Sequence, residues 1–358
     1  METYDAQHRF QLPREVVIGR GVISQIGKVC VQLGFGRSPL VLADEITIEI
    51  AGNKVLSSLE EQGFQPQKLI IKDSTMAQVK EVEKKIRDSN INVVLGVGGG
   101  KVVDVAKVSA VKSHIPFISV PTAASHDGIS SPRASIKEKH SLPHSIAAKP
   151  PTAIVADTEI IAKAPYRLLA AGCGDIISNS TAVMDWELAH KIRNEYYGEY
   201  AAALSKMAAK LILKRAHLIR TGMPGSVRIV MEALISSGVA MCIAGSSRPA
   251  SGAEHLFSHA LDKICREADC ESPLHGEQCG VGSIMMMYLH GGDWRSIKDA
   301  LHKIGAPTTA EELRIDKKYV IEALTICHQI RDRYTILGEK GLTKEAATRL
   351  AYVTEVIS

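Results

Sequence analysis

Two hydrophobic patterns divide the sequence. In the first part, short apolar runs rich in β-branched residues alternate with longer stretches that are apolar at helical spacing. The short runs predict buried strands, and the longer stretches predict amphipathic helices. The predicted strands are residues 16–18, 40–43, 68–71, 93–95, 117–120 and 153–156. The predicted helices between them are residues 22–33, 48–62, 77–90 and 102–112.

The strand pattern ends near residue 160, and helical spacing continues to the end of the chain. Strands that alternate with helices indicate a mainly parallel sheet. We therefore expect an α/β dinucleotide-binding domain with a Rossmann-like sheet at 1–160, and an all-α helical domain for metal and substrate at 161–358. Its predicted helices are residues 200–221, 226–244, 253–268, 280–289, 294–304 and 318–331, with Thr343 as the N-cap of a last one. Residues 130–151, rich in Ser, Pro, Lys and His, predict a hairpin or a long loop.

Composition narrows the class of protein. The chain has 358 residues, 45% of them hydrophobic and 23% charged, which is ordinary for a globular enzyme. The net charge of +4 is not concentrated in a basic block, and only 4% of residues are aromatic, which disfavours a nucleic-acid-binding protein. The polar N-terminus and the interrupted apolar runs predict neither a signal peptide nor a membrane span, hence a cytoplasmic protein. Seven scattered cysteines indicate reduced thiols.

A glycine-rich loop follows the predicted strand at 93–95. Gly98, Gly99 and Gly100 have no Cβ atoms, so the backbone there can approach a pyrophosphate, and the next helix offers free N–H groups. The spacing is not G-x-G-x-x-G, and Lys101 is followed by Val102, so the loop is not a Walker A motif. The alternative explanation is a tight turn from strand to helix.

Two other strand ends carry polar side chains. Asp44 follows the strand at 40–43, where a carboxylate can accept hydrogen bonds from ribose hydroxyls and would repel the 2′-phosphate of NADP. In the loop at 121–131, Thr122, Ser125 and Ser131 can hydrogen-bond a cofactor, and Asp127 a substrate hydroxyl. A solvated Asp in the first case, and a capped turn in the second, are the structural alternatives.

A carboxylate and three imidazoles stand in three segments of the second part. Asp175 ends the string Gly172-Cys-Gly-Asp, which we expect to precede a helix, so that Asp175 lies near an N-cap. His255 and His259 are four residues apart on one predicted helix face, and His275 precedes a glycine. One Asp with two His residues is a common ligand set for a divalent metal that stays open to substrate. Spacing does not rank His259 against His275.

Cys265, Cys270 and Cys279 form a second candidate set nearby. Their spacing matches no tight Cys-x-x-Cys zinc ribbon, so it does not predict a cysteine site.

Several of these strings together resemble the metal-dependent polyol dehydrogenases, the superfamily of glycerol dehydrogenase, iron-containing alcohol dehydrogenases and dehydroquinate synthase. The resemblance covers nearly the whole chain. The shared strings are Gly98-Gly-Gly-Lys-x-x-Asp104, Thr122-x-x-Ser125, Gly174-Asp175 and the later histidines. The longer strings at 122–133, 168–179 and 247–255 are similar to those of archaeal sn-glycerol-1-phosphate dehydrogenases.

The resemblance implies roles that the residues alone leave open. Asp175, His255 and His275 match the ligands of one Zn2+ per subunit. Asp127, Asp175 and His259 match substrate contacts, and we expect Asp175 and His259 to be catalytic. The predicted contacts to NAD(H) or NADP(H) are Asp44, Gly99, Gly100, Lys101, Val102, Val103, Asp104, Thr122, Ser125 and Ser131.

The resemblance also implies an activity, the reduction of dihydroxyacetone phosphate to sn-glycerol 1-phosphate, the backbone of archaeal ether lipids. Members of that family often accept both NADH and NADPH, which argues against a strict interpretation of Asp44. The partner is then a small phosphorylated substrate, without nucleic acid or membrane insertion, and the protein a homo-oligomer. Arg133 and Arg248 adjoin site motifs and are candidates for the substrate phosphate; a surface salt bridge is the alternative for each.

Three rival functions follow from the same observations. Glycerol dehydrogenase uses the same chemistry without a phosphate. Dehydroquinate synthase uses NAD catalytically but needs several basic residues for a phosphorylated sugar acid, and the strings do not resemble it. A metal-stabilised binding protein would not need a cofactor loop beside an open metal site. The sequence itself leaves the size of the oligomer open, and iron, nickel or manganese also suit an Asp-His-His set.

Overall fold

The computed structural model of the protein describes residues 8–137, 144–220 and 225–358. The strands are β1 (Glu15–Gly19), β2 (Pro39–Ala43), β3 (Gln67–Ile70), β4 (Val93–Gly98), β5 (Phe117–Pro121), β6 (Arg133–Ile136), β7 (His144–Ala147) and β8 (Ala153–Asp157). Six of them form one sheet in the order β1-β8-β5-β4-β2-β3, and every pair in it is parallel. The predicted parallel sheet is therefore confirmed. Strands β6 and β7 pair antiparallel, so residues 130–151 contain a hairpin.

Fourteen α-helices lie within the described residues. They are α1 (Ile26–Gln32), α2 (Glu45–Thr47), α3 (Asn53–Glu61), α4 (Met76–Asp88), α5 (Gly100–Lys112), α6 (Thr158–Ala162), α7 (Tyr166–Arg193), α8 (Glu199–Arg220), α9 (Ser226–Ala244), α10 (Ala253–Glu267), α11 (His275–Leu289), α12 (Trp294–Ile304), α13 (Lys317–Ile326) and α14 (Lys344–Val353). Thr343 caps α14 as predicted, because its hydroxyl accepts from the amide of Ala346 at 3.2 Å. Helices α7 to α14 form the helical C-terminal part that the sequence predicted. A domain boundary after residue 160 stays a prediction.

The sheet brings the predicted cofactor loops together. Strands β2, β4, β5 and β8 are buried along their whole length, which explains why their sequences are apolar except for Ser119 and Asp157. Because the sheet is parallel, the loops that follow β4 and β5 leave from the same edge. Gly98 is paired with Pro121, and the amide of Thr122 donates to the carbonyl of Gly98 at 3.1 Å.

One prediction about the helical part is wrong. Asp175 does not lie near an N-cap, since α7 begins at Tyr166 and continues through Asp175 to Arg193. Gly172 and Gly174 suggested the start of a helix, but they are sites of close packing within one. A Cβ at Gly172 would lie 2.1 Å from the carbonyl oxygen of Ala124, and one at Gly174 would lie 2.2 Å from that of Gly276.

Two predicted helix boundaries also differ. Helix α11 begins at His275 and not at residue 280, because the carboxylate of Glu277 accepts from the amide of Leu274 at 3.0 Å and caps the first turn. Helix α13 ends at Ile326, followed by a short 3-10 helix, Cys327–Gln329. Arg331 therefore lies in the segment after the helix. The predicted end of α8 at residue 221 falls outside the described residues.

Helix α9 is apolar and lies inside the helical part. Within the described ranges it is the one helix that meets the length and composition of a membrane span, with a mean hydropathy of 1.8, and 67% of that window is buried in the protein. The sequence predicted no membrane span because its longest apolar runs are interrupted by Gly, Lys or His. Buried core helices of soluble proteins pass the same test. All seven cysteines are free, in agreement with the prediction of reduced thiols.

Candidate active site

The predicted metal ligands converge from three helices. Asp175 comes from the middle of α7, His255 from the first turn of α10, and His275 is the first residue of α11. The Nε2 atoms of both histidines lie 3.7 Å from Oδ1 of Asp175. Cys279, one turn further along α11, completes a group whose candidate ligand atoms all lie within 4.8 Å of one another. His259 is not part of that group.

Neighbouring polar groups fix the orientation of both imidazoles. Nδ1 of His255 lies 3.0 Å from a carboxylate oxygen of Glu254, and Nδ1 of His275 lies 3.1 Å from the hydroxyl of Ser258. Glu254 is fully buried and also accepts from the amide of Gly252 at 2.6 Å and from the hydroxyl of Thr181 at 2.8 Å. Because Glu254 accepts a hydrogen bond from the Nδ1–H of His255, the lone pair of the neutral ring is on Nε2, which faces Asp175.

A buried carboxylate, Asp175, and a half-buried one, Asp127, lie close together in the site. Asp175 accepts from the backbone amide of Asp127 at 2.8 Å, and the side chain of Asp127 accepts from the hydroxyl of Ser237 at 2.8 Å. Burial raises the pKa of Asp175. Burial and the nearby charge of Asp175 raise the pKa of Asp127 to about 7. Such a pair is costly without a cation, so this donor set fits a divalent metal.

The charge on His255 has opposing causes. Burial lowers the pKa of its imidazole, but the hydrogen bond to Glu254 and the charges of Glu254 and Asp175 outweigh burial, so that the pKa is raised. His255 is 8% exposed, which is enough for one edge to reach the cleft described below.

His259 lies beside the metal group and contacts a cation. Its ring stacks on that of His275, with 5.8 Å between centroids, and its Nε2 lies 2.9 Å from a guanidinium nitrogen of Arg331. Arginine has no acceptor, so Nε2 must accept and Nδ1 carries the proton. Burial, and then the charge of Arg331, lower the pKa of His259 well below its ordinary value.

The glycine loop has space for an added Cβ atom at Gly99 but not at Gly100. A Cβ at Gly99 would meet no heavy atom within 4 Å, whereas one at Gly100 would lie 2.1 Å from Nε2 of His126. The side chains of Val102 and Val103 are buried in the core, and both of their amides donate to the carbonyl of Gly99, at 3.0 and 3.1 Å. These two residues can therefore shape the loop but have no amide left for a phosphate, unlike the first positions of α5.

Asp44 and Lys101 contact each other at the entrance to this loop. One carboxylate oxygen of Asp44 caps α2 by accepting from the amide of Thr47 at 2.8 Å, and the other lies 3.7 Å from Nζ of Lys101. The ammonium of Lys101 also donates to the carbonyl of Lys72 at 2.9 Å. Burial raises the pKa of Asp44, but the hydrogen bonds from Thr47 and the charge of Lys101 outweigh it and lower the pKa overall.

Asp104 and Lys107 are buried supports that join α5 to the loops of the site. Asp104 accepts from the amide of Ser135 on β6 at 2.9 Å. The ammonium of Lys107 is fully buried and donates to the carbonyls of Gly128 and Arg133, at 2.6 Å each. Asp104 thus holds the hairpin in place. The sequence analysis missed Lys107, because nothing in a helical pattern marks a lysine as buried.

A cleft of about 540 Å³ runs from the glycine loop to the metal group. The predicted site residues on its wall are Gly100, Lys101, Asp104, Ser125, Asp127, Ser131, His255, His259 and His275. The other predicted site residues are not on its wall: Asp44, Gly99, Val102, Val103, Thr122 and Asp175. Two of the three predicted metal ligands and part of the predicted cofactor set therefore border one continuous space.

The two candidate arginines occupy different surroundings. Arg248 is 5% exposed, forms two hydrogen bonds with the carboxylate of Glu195 and donates to the carbonyl of Tyr334 at 2.9 Å, so its role is structural. Arg133 lines the cleft, together with Arg331, which the sequence analysis did not single out.

Two further neighbours of the metal ligands had a sequence signal. Glu254 directly precedes His255, and Cys279 follows His275 by four residues, which is one turn of the same helix. The cysteine set proposed as an alternative is not the group that forms, since Cys279 alone of the three joins the metal group.

Comparison with known proteins defines the class of the fold. Residues 17–165 match the family model for iron-containing alcohol dehydrogenase. The crystal structure of glycerol dehydrogenase from Schizosaccharomyces pombe superposes with a TM-score of 0.81 and 22% identity, covering 98% of this chain and 90% of that one. The crystal structure of a probable glycerol dehydrogenase from Sinorhizobium meliloti 1021 superposes with a TM-score of 0.79 and 20% identity, covering 98% of this chain and 100% of that one. The fold is that of the iron-containing alcohol dehydrogenases.

Sequence relatives give the family within this class. A glycerol-1-phosphate dehydrogenase (NAD(P)+) from Methanothermobacter thermautotrophicus is 57% identical over 350 residues, covering 98% of this chain and 99% of that protein. Another, from Thermococcus sibiricus, is 54% identical over 351 residues, with 98% and 99% covered. The chain belongs to the glycerol-1-phosphate dehydrogenase family, which confirms the resemblance found in the sequence.

Proposed function

We propose that this protein reduces dihydroxyacetone phosphate to sn-glycerol 1-phosphate with NADH or NADPH, and so supplies the glycerophosphate backbone of archaeal lipids in the cytoplasm. The observation that carries the proposal is that the Asp175, His255 and His275 group opens onto the same cleft as the glycine loop. The names and near-complete coverage of the relatives support the choice of substrate and cofactor.

The metal in this proposal is Zn2+, held by Asp175, His255 and His275. Imidazole and carboxylate donors suit zinc, and Glu254 and Ser258 orient the two rings for it. When bound, such a cation polarises a substrate carbonyl and stabilises the negative charge that develops on its oxygen. Cys279 lies 3.6 Å from Nε2 of His275 and closes the side of the group away from the cleft.

Two other side chains orient the substrate. Ser237 occupies one carboxylate oxygen of Asp127, so the second can accept from a substrate hydroxyl. His259 presents its Nδ1–H as a donor, because Arg331 occupies Nε2. In this arrangement His259 donates a hydrogen bond to the oxygen of the reduced carbon and takes part in returning its proton.

The cofactor lies along the edge of the sheet in this proposal. The open position at Gly99 and the first amides of α5 bind the pyrophosphate, and Ser125 and Ser131 contact the nicotinamide half. Asp44 remains the proposed ribose acceptor. Its contact with Lys101 places a positive charge beside it, which reduces the repulsion of a 2′-phosphate and accords with use of both cofactors.

The test is NADH oxidation with dihydroxyacetone phosphate, followed by a stereospecific enzyme assay of the product. Turnover that a chelator stops and that yields sn-glycerol 1-phosphate is expected. The sn-3 product would contradict the family assignment of substrate handedness. Turnover of free glycerol instead would favour glycerol dehydrogenase, which no observation supports beyond the shared fold.

We further propose that the protein is a homo-oligomer without nucleic-acid or membrane partners. Light scattering tests the oligomeric state.

A further inference from the structure

Arg331 lies on the cleft wall next to the metal group. It follows the 3-10 helix Cys327–Gln329, is half-buried, and one of its nitrogens donates to Nε2 of His259 at 2.9 Å. His259 in turn stacks on His275. The guanidinium is therefore one imidazole away from a proposed metal ligand.

The segment around Arg331 is fixed by its neighbour Arg333. The guanidinium of Arg333 donates to the carbonyl of Ser251 and to the hydroxyl of Ser247, the latter at 2.8 Å. Both serines belong to the turn before α10, which carries His255 and His259. The backbone that carries Arg331 is consequently fixed relative to α10, the helix that carries His255 and His259.

The positive charge of Arg331 has no carboxylate partner among the described residues. Throughout the described ranges, no carboxylate oxygen lies within 4.0 Å of its nitrogens, and its hydrogen-bond partner His259 is an uncharged imidazole. Burial, and then the like charge of Arg133 across the cleft, lower the pKa of Arg331. One acid on the cleft wall, Asp262, already accepts from the side-chain amide of Gln278 at 2.8 Å and from the hydroxyl of Ser272.

Two half-buried guanidinium groups that face one cleft favour an anion between them. A guanidinium has five N–H donors in a planar fork, and His259 uses one of those of Arg331, so others can reach a ligand. The fork matches two oxygens of a phosphate at once. Lys101 differs from Arg331, since it contacts the carboxylate of Asp44 and the carbonyl of Lys72 at the cofactor end.

We propose that Arg331, with Arg133, binds the phosphate group of the substrate and sets the preference for dihydroxyacetone phosphate over free dihydroxyacetone. This inference rests on the proposed function. Phosphate binding at Arg331 also fixes Nε2 of His259, so that recognition of one end of the substrate orients a side chain at the reacting end.

The test compares Arg331→Gln with wild type on both substrates at saturating NADH. Loss of a charged hydrogen bond to the phosphate should raise the KM for dihydroxyacetone phosphate about 10- to 100-fold. The kcat/KM for dihydroxyacetone, which has no phosphate, should fall by a clearly smaller factor, because only the contact with Nε2 of His259 is altered. Arg331→Lys retains the charge and should restore part of the loss. Arg228→Gln removes an exposed arginine paired with Glu232 on α9 and should change neither value.

Two direct binding measurements complete the test. Inorganic phosphate should bind the metal-loaded wild type, and this affinity should fall in Arg331→Gln while the Kd of NADH stays unchanged. An equal loss on both substrates would mean that Arg331 acts only through His259, and a weaker Kd for NADH would assign it to the cofactor; either overturns the inference. If wild type does not reduce dihydroxyacetone phosphate, the proposed function fails, while the phosphate titration still decides the role of Arg331.

Discussion

At the scale of single residues, the site is organised by groups that do not themselves reach the substrate. Glu254, Ser258 and the amide of Asp127 each hold one of the three proposed ligands. Burial prevents water from taking over these contacts. The ligands are therefore oriented by the fold before any metal arrives, which lowers the entropy lost on binding it.

Replacing Glu254 by Gln tests this orientation. The amide keeps the size of the side chain but removes the anionic acceptor of the His255 Nδ1 proton, so we expect metal affinity to fall about 10- to 100-fold. Competition with a chromophoric chelator measures it. Glu232→Gln, an exposed change on α9, is the control. Equal affinity in the Glu254 variant and wild type would show that the carboxylate does not orient the ring.

Replacing His275 by Ala removes a proposed ligand and not a support. Metal content per subunit and turnover should both be lost, while NADH binding survives because the glycine loop belongs to the sheet. Elemental analysis and fluorescence of bound NADH measure the two quantities. His217, exposed on α8, provides the matched His→Ala control. Near-normal metal content in His275→Ala would show that the ligand set is wrong.

At the scale of elements, glycines decide how closely the helices of the site approach. Helices α7 and α11 touch where Gly174 faces the carbonyl of Gly276, and that contact brings Asp175 toward His275. Any side chain at this crossing would separate the two ligands. Gly174 therefore contributes to the proposed metal site only by allowing a short distance between Asp175 and His275.

Gly174→Ala should consequently affect stability and metal binding together. Its Cβ would lie 2.2 Å from a backbone oxygen, which cannot rotate away, so we expect a loss of about 1–3 kcal/mol in the free energy of unfolding. Urea denaturation of the metal-free protein measures this loss, and a chelator titration measures the accompanying drop in affinity. Unchanged unfolding would mean that the two helices shift apart without cost.

Gly99→Ala makes the opposite prediction. A Cβ there meets nothing within 4 Å and the backbone is not in the left-handed region, so unfolding should be unchanged. If a pyrophosphate approaches at this position, however, the added methyl group must weaken NADH binding. Isothermal titration with NADH measures it, and wild-type affinity in the variant would place the cofactor elsewhere.

The elements also show what the sequence could and could not predict. All six strands of the sheet were recovered, because each contains a short run of apolar residues that includes β-branched ones, between polar turns. The course of helix α7 through Asp175 was not predicted. Glycines such as Gly172 and Gly174 are common at helix ends, and the local sequence does not distinguish that role from close packing between two helices. The segments of the metal site were found, but ranking His259 against His275 needed the family resemblance. Arg331 and Lys107 depend on contacts between distant segments, which no local pattern encodes.

At the scale of the whole molecule, the proposed cofactor and metal sites belong to different parts that share one cleft. Proposed metal ligands come from α7, α10 and α11, whereas the glycine loop belongs to the sheet. A bound metal joins three helices of the C-terminal part, so its removal should lower Tm by several degrees through the loss of binding free energy. Thermal melts with and without chelator measure the shift, and NADH affinity of the metal-free protein should stay within a few-fold of the holoenzyme.

The buried ammonium of Lys107 connects these scales. It donates to the carbonyls of Gly128 and Arg133, and so connects both backbone segments to one residue of helix α5. Movement of either carbonyl would remove a hydrogen bond from a fully buried ammonium whose remaining charge partner is Asp104, with 3.7 Å between Nζ and Oδ1, and such a loss in the core is costly. The wall of the cleft that carries Asp127 and Arg133 is thus rigid. The spacing between the Asp127 carboxylate and the Arg133 guanidinium is therefore fixed before the substrate binds. Adaptation to a longer or shorter substrate would have to come from the opposite, helical wall, and the protein should discriminate among substrates by their length as well as by their charge.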